Sequence, residues 1–263
     1  MAERRFDVRV GGHRLEAAWI GPPAGERPTI AMLHEGLGSV DAWRDFPAEV
    51  AHATGLAVFV WSRFGYGRSD PVTPPRSLDY MQDEGAIVGD VLAAAGVREA
   101  VLLGHSDGAS IAIVAAGSAQ RVPIRGLALL APHVFCEDRS VDGIEKARDA
   151  FLHGDLRARL AKYHADVDGA FWGWNGAWLD PGFRAWSLES FLPAIDVPVL
   201  VAQGDIDPYG TLAQVDAIER GVRGPFRRCV IEGGGHAPHR DDPARTLAAI
   251  DALVRESVAR ARV

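Results

Sequence analysis

Hydrophobic residues follow two rhythms along the chain. Residues 6–10 and 14–20 alternate apolar with polar positions around Gly11-Gly12, which predicts an opening β-hairpin. Residues 29–33, 56–61, 100–103, 126–130 and 198–202 form short continuous apolar runs. That is the pattern of strands buried on both faces, and residues 227–231 give a last strand. Helical stretches lie between them: from Asp41 to about residue 53, then 78–95 ended by Gly96, 109–119, 211–220, and a closing helix from Pro243 to about residue 261. Strand alternating with helix predicts an α/β chain with a mostly parallel sheet and helices on both faces.

The rhythm breaks from His133 to about Leu192. No strand-like run occurs there, and residues 144–151 and 156–164 carry charge on one side and apolar groups on the other. Four of the seven tryptophans fall between Trp172 and Trp186. Phe171, Trp174 and Trp178 share one helical face by their spacing. A helical segment inserted after a sheet strand reads as a cap over that end of the sheet.

Composition narrows the picture without changing it. The 263 residues are 48% hydrophobic and 24% charged, as expected of a globular chain with one sizeable core. A net charge of -7 disfavours nucleic acid and anionic membranes as partners. The first residues, Met1-Ala2-Glu3-Arg4-Arg5, do not read as a targeting leader, and no apolar run is long enough to span a bilayer. Cys136 and Cys229 have no metal-ligand spacing and are expected as free thiols, which fits a cytoplasmic location. No cofactor and no metal are expected. The expected partner is a small-molecule substrate, with self-association left open.

The chemistry gathers in loops that follow strands. Gly104-His105-Ser106-Asp107-Gly108 sits between an apolar strand and a small-residue helix, the setting of a G-x-S-x-G nucleophile elbow. There the serine hydroxyl is lifted above the sheet, and the N–H of Asp107 is offered at a helix N-terminus to a developing oxyanion. Serine needs an adjacent base, and the base needs an orienting acid. Asp207 follows the next-to-last strand, and His236 follows the last one after Gly233-Gly234-Gly235. The order serine, acid, histidine is that of α/β-hydrolases.

From about Thr29 onward the chain resembles the α/β-hydrolase superfamily, in its cap-bearing group of esterases and carbon–carbon bond hydrolases. The likeness rests on His34-Glu35-Gly36-Leu37-Gly38, Gly65-Tyr66-Gly67-Arg68-Ser69, the elbow, Gly204-Asp205-Ile206-Asp207 and Gly235-His236. It implies a core of residues 1–132 and 193–263, a mostly parallel sheet of about eight strands, and a helical cap over 133–192. It also implies Ser106 as nucleophile, His236 as base and Asp207 as acid. Asp205, a turn aspartate, is the alternative acid, and His239 is the alternative base. The second oxyanion donor is implied at Gly36, or at Leu37 if the turn is displaced. The family's usual His-Gly is His34-Glu35 here. His34 is expected to prop this loop, and His105 to pack beside the elbow.

Glu35, His133, Trp174 and Trp178 are candidates for the substrate pocket. A carboxylate of Glu35 or Asp107 facing that pocket would disfavour anionic substrates and favour neutral or cationic ones. The alternative is that both turn away. The activity expected is hydrolysis of a small apolar or aromatic ester. Carbon–carbon, thioester, lactone or amide cleavage uses the same parts, and a ligand-binding receptor on this fold is a rival of another class.

Overall fold

The computed structural model describes residues 3–25 and 27–260. The opening hairpin forms as its alternation requires: β1 (Glu3–Val10) runs antiparallel to β2 (His13–Ile20), with Val10 opposite His13. The apolar runs become β3 (Thr29–Leu33), β4 (Val58–Trp61), β5 (Ala100–His105), β6 (Ile124–Leu130), β7 (Val199–Gly204) and β8 (Phe226–Ile231). The eight strands make one sheet in the order β1-β2-β4-β3-β5-β6-β7-β8, parallel from β4 to β8.

The helices are α1 (Phe46–Thr54), α2 (Tyr80–Ala94), α3 (Asp107–Ala116), α4 (Asp138–His153), α5 (Leu156–Leu160), α6 (Val167–Leu179), α7 (Leu212–Gly221), α8 (Pro238–Asp241) and α9 (Pro243–Arg260). They cover both faces because successive strand residues point to opposite sides. Ala31, Leu33 and Leu102 pack with Val88 and Leu92 of α2, Ile111 of α3 and Ile218 of α7. Their neighbours Ile30, Met32 and Leu103 pack on the other face with Val50 of α1 and Leu253 of α9. Each such fully buried Leu or Ile contributes roughly 1.5–3 kcal/mol by removal from water. Phe171, Trp174 and Trp178 of α6 are buried in the first of these two clusters, and α6 packs against α4.

Register places the strand ends level. Leu33 pairs with Gly104, His105 with Leu130, Leu130 with Ala202, and Gly204 with Ile231. The loops that follow β3, β5, β6, β7 and β8 therefore open at one edge of the sheet, where open α/β sheets bind ligands.

Four departures from the pattern are local. The helix expected from Asp41 is a 3₁₀ turn (Asp41–Trp43), then a break at Arg44, whose φ is 54°, and then α1. Pro47 restarts the helix in its first turn, where a missing N–H costs nothing. The elbow helix begins at Asp107, two residues before the expected start, and ends at Ala116. Helix α5 stops at Leu160 where the pattern extended to 164, and α8, a single turn, is too short to leave a periodic signal.

Candidate active site

Ser106 sits at the end of β5 with φ 52° and ψ -121°, a backbone conformation costly for a residue with a side chain. The surroundings hold it there: its N–H donates to the Leu130 carbonyl at 2.8 Å, and α3 starts immediately after it. The glycines on either side are required by contact. A Cβ on Gly104 would lie 2.3 Å from the Gly108 carbonyl oxygen, and one on Gly108 would lie 2.1 Å from that of Leu33.

Ser106, His236 and Asp207 form one hydrogen-bonded row. His236 Nδ1 lies 2.7 Å from Asp207 Oδ2, and Nε2 lies 2.8 Å from Ser106 Oγ. A carboxylate only accepts, so Nδ1 carries the proton and Nε2 keeps a lone pair for the serine hydroxyl. Asp207 is fully buried and held at both oxygens. Oδ2 also accepts from Gln203 Nε2 at 2.7 Å, and Oδ1 accepts from the Tyr209 N–H at 2.8 Å. Burial alone would raise its pKa, but the bonds from His236 and Tyr209 hold it below the usual carboxylate value. The arrangement can therefore generate a nucleophile and stabilise the imidazolium that results.

The two alternatives are occupied elsewhere. Asp205 Oδ1 accepts from the Gly233 N–H at 2.7 Å and ties the two loops together. His239 is buried against Phe46 and Trp43, with neither ring nitrogen hydrogen-bonded among the described residues. His105 does more than pack. Its Nε2 donates to the His236 carbonyl at 2.7 Å, so it braces the loop that carries the histidine.

Facing the serine is the turn after β3. His34 Nδ1 donates to the Glu35 carbonyl at 2.7 Å, and its Nε2 accepts from the Arg63 N–H at 3.0 Å. Arg63 Nη2 also donates to the Glu35 carbonyl at 3.0 Å. Among the described residues nothing accepts from the N–H groups of Gly36, Leu37 or Asp107. Their N–H groups are therefore uncommitted within the described fold. Gly36 lies against the indole of Trp174, where a Cβ would come within 2.1 Å of Nε1.

A cavity opens at Ser106, lined by Glu35, Gly36, Leu37, His133, Ser140, Ile144, Trp174, Trp178, Tyr209 and His236. It gathers all four pocket candidates. The His133 ring stands 5.3 Å from Trp178 and 5.7 Å from His236, and burial lowers its pKa to about 3, so it is neutral. Tyr209, Ser140 and Ile144 were not singled out from the sequence. The Tyr209 ring lies 4.6 Å from that of His236, and Ser140 Oγ donates to the Tyr209 carbonyl at 2.6 Å. The four-residue spacing of Ser140 and Ile144 puts them on one face of α4, but the sequence held no sign that this face meets the serine.

Asp107 and Glu35 have opposite fates. The Asp107 side chain is buried away from the cavity and accepts from the Tyr80 hydroxyl, which in turn accepts from Trp178 Nε1 at 3.1 Å. It lies near Arg63 and Glu84, with Glu84 bonded to Arg63 at 2.9 Å and to Arg76 at 2.6 Å. Two guanidiniums and two acidic side chains make a buried cluster behind the elbow, in which burial raises the Asp107 pKa, and which the sequence did not announce. Glu35, by contrast, lines the cavity.

A model of the alpha/beta hydrolase family matches residues 30–250. No curated protein sequence matches the chain. Among solved structures, it is similar to an esterase from Exiguobacterium antarcticum at 19% identity, covering 95% of this chain and 98% of that one, with a TM-score of 0.73. A proline iminopeptidase of Mycobacterium smegmatis is similar at 18% identity, 98% and 100% coverage and a TM-score of 0.70. A membrane phospholipase A described as a bacterial virulence factor is similar at 18% identity, 97% and 86% coverage and a TM-score of 0.73. At these identities the likenesses show the fold alone. With the family match spanning most of the sequence, the chain belongs to the alpha/beta hydrolase family.

Proposed function

We propose that the chain is a serine hydrolase that cleaves small apolar or aromatic carboxylic esters. The observation that carries the reading is the row Ser106 Oγ, His236 Nε2 and Nδ1, Asp207 Oδ2, with contacts of 2.8 and 2.7 Å, at the mouth of a largely apolar cavity. His236 takes the hydroxyl proton as Ser106 Oγ bonds to the ester carbonyl carbon. Asp207 stabilises the imidazolium. The N–H groups of Gly36 or Leu37 and of Asp107 bind the oxyanion, each donor supplying about 3 kcal/mol of transition-state stabilisation. As the tetrahedral intermediate collapses, the carbon–oxygen bond to the alcohol breaks and His236 protonates the leaving oxygen. Water, deprotonated by His236, then releases the acid from the acyl-enzyme. The segment 133–192 acts as the cap, with Trp174 and Trp178 walling the substrate side.

Hydrolysis of p-nitrophenyl esters from acetate to long acyl chains tests the reading. Wild type should turn over the short esters, and Ser106→Ala should lose about 10⁴-fold or more in kcat. Equal rates for both proteins would end the proposal.

A further inference from the structure

Glu35 carries a carboxylate for which no donor lies within 3.5 Å among the described residues. Among the described residues its side-chain oxygens meet one partner group, with Oε2 at 3.7 Å from His105 Nδ1, beyond hydrogen-bond reach. The side chain is only about a quarter exposed, and it lines the same cavity as Ser106. Burial acts to raise its pKa, yet the facing His105, with His34 behind it, holds it well below the usual carboxylate range. An ionised carboxylate at the wall of this cavity, with no donor of its own within hydrogen-bond reach, is open to a donor from a ligand.

The rest of the cavity fits such a donor. Among the described residues no lysine or arginine lines it, and burial keeps His133 neutral. The guanidinium of Arg63 is only 2% exposed and is bonded to Glu84 and to the Glu35 carbonyl, so it offers nothing to a substrate. The other walls include Trp174, Trp178 and Tyr209, aromatic rings of the kind that attract cations. Among the described residues that line the cavity, a carboxylate-bearing substrate would meet the Glu35 carboxylate and no lysine or arginine, the titratable group nearest Glu35 being the His105 ring at 3.7 Å. An ammonium-bearing one would meet a carboxylate and aromatic surface together.

Resting on the esterase reading above, we infer that Glu35 sets the substrate class by charge. The site takes esters that carry an ammonium group, on either the acyl or the alcohol part, ahead of neutral isosteres, and it rejects anionic ones.

The test is a matched set of esters. On the alcohol side, acetylcholine is compared with 3,3-dimethylbutyl acetate. On the acyl side, p-nitrophenyl esters ending in trimethylammonium, tert-butyl or carboxylate are compared. Wild type should show kcat/KM falling in the order cation, neutral, anion. Glu35→Gln should lower the cation-to-neutral ratio about tenfold and raise the anion-to-neutral ratio. The same ratios in both proteins, with unchanged circular dichroism, would overturn the inference.

Binding of tetraethylammonium, followed by tryptophan fluorescence, separates this inference from the esterase reading. If no ester is turned over, the esterase reading fails. Ammonium binding lost in Glu35→Gln would then still support the charge selection, and no binding by wild type would overturn it.

Discussion

At the scale of the residue, Asp207 shows how one carboxylate fixes the state of its neighbours. It is fully buried, and its two oxygens accept from His236, Gln203 and Tyr209. In Asp207→Asn the amide can present a donor to His236 Nδ1, which favours the tautomer with its proton on Nε2, facing the serine. Ser106 then loses its base. The expected result is a fall in kcat of roughly 10³–10⁴-fold on p-nitrophenyl acetate, as for the same exchange in serine proteases. Rates within tenfold of wild type would show that Asp207 is not the orienting acid. The sequence offered this residue, with Asp205 as its alternative, because the acid must follow a strand near the end of the chain and the resemblance favours the later position. Tyr209 was not: two positions further on, it is an ordinary loop tyrosine until folding lays its ring 4.6 Å from that of His236.

At the scale of the element, the elbow depends on how tightly β5 and α3 are pressed onto β3. Gly108 opens the helix against the Leu33 carbonyl with no room for a methyl group. Gly108→Ala should destabilise the protein by about 3 kcal/mol or more, since the obstacle is backbone that cannot rotate away. Thermal unfolding of the variant reads this directly, and an unchanged Tm would contradict the packing described. The sequence shows the glycine, but only the register of Leu33 with Gly104 shows what it must clear. Helix α6 makes the complementary point. The spacing of Phe171, Trp174 and Trp178 defined one apolar face, and packing then divided its work. Phe171 stacks on Phe151 at 3.7 Å, while Trp174 and Trp178 reach the cavity.

At the scale of the whole molecule, a set of buried imidazoles links stability to pH. Burial holds His34, His133, His164 and His239 below their ordinary pKa, with His133 and His239 at about 3. Such groups stay neutral in the folded protein but take up protons near pH 6.5 once unfolded. Their stabilising share is complete above pH 6.5 and is lost as pH falls toward 3. For His239 the loss at pH 5 is about 2 kcal/mol. The groups around His239 are His105, Arg240, Glu35 and His236, so burial is reinforced by the neighbouring cation. His239→Leu should lose less Tm than wild type between pH 7.5 and pH 5, and equal losses would refute the assignment. No helix among the described residues is long and apolar enough to cross a membrane.

The division between sequence and fold follows from what each interaction depends on. Strand and helix order, the strained turn at Ser106 and the loops bearing Asp207 and His236 arise from local periodicity and from glycines adjacent in the chain. Those features are written in consecutive residues. The cavity is different, because its walls come from separate segments. Ser140 and Ile144 belong to α4, Trp174 and Trp178 to α6, Glu35 to the turn after β3, and Tyr209 to the loop after β7. The two carboxylates beside the serine make the contrast plainest. Asp107 and Glu35 read alike in the sequence as acidic residues flanking the nucleophile. Only the placement of Tyr80, Arg63 and His105 turned one into the core and left the other facing the cavity.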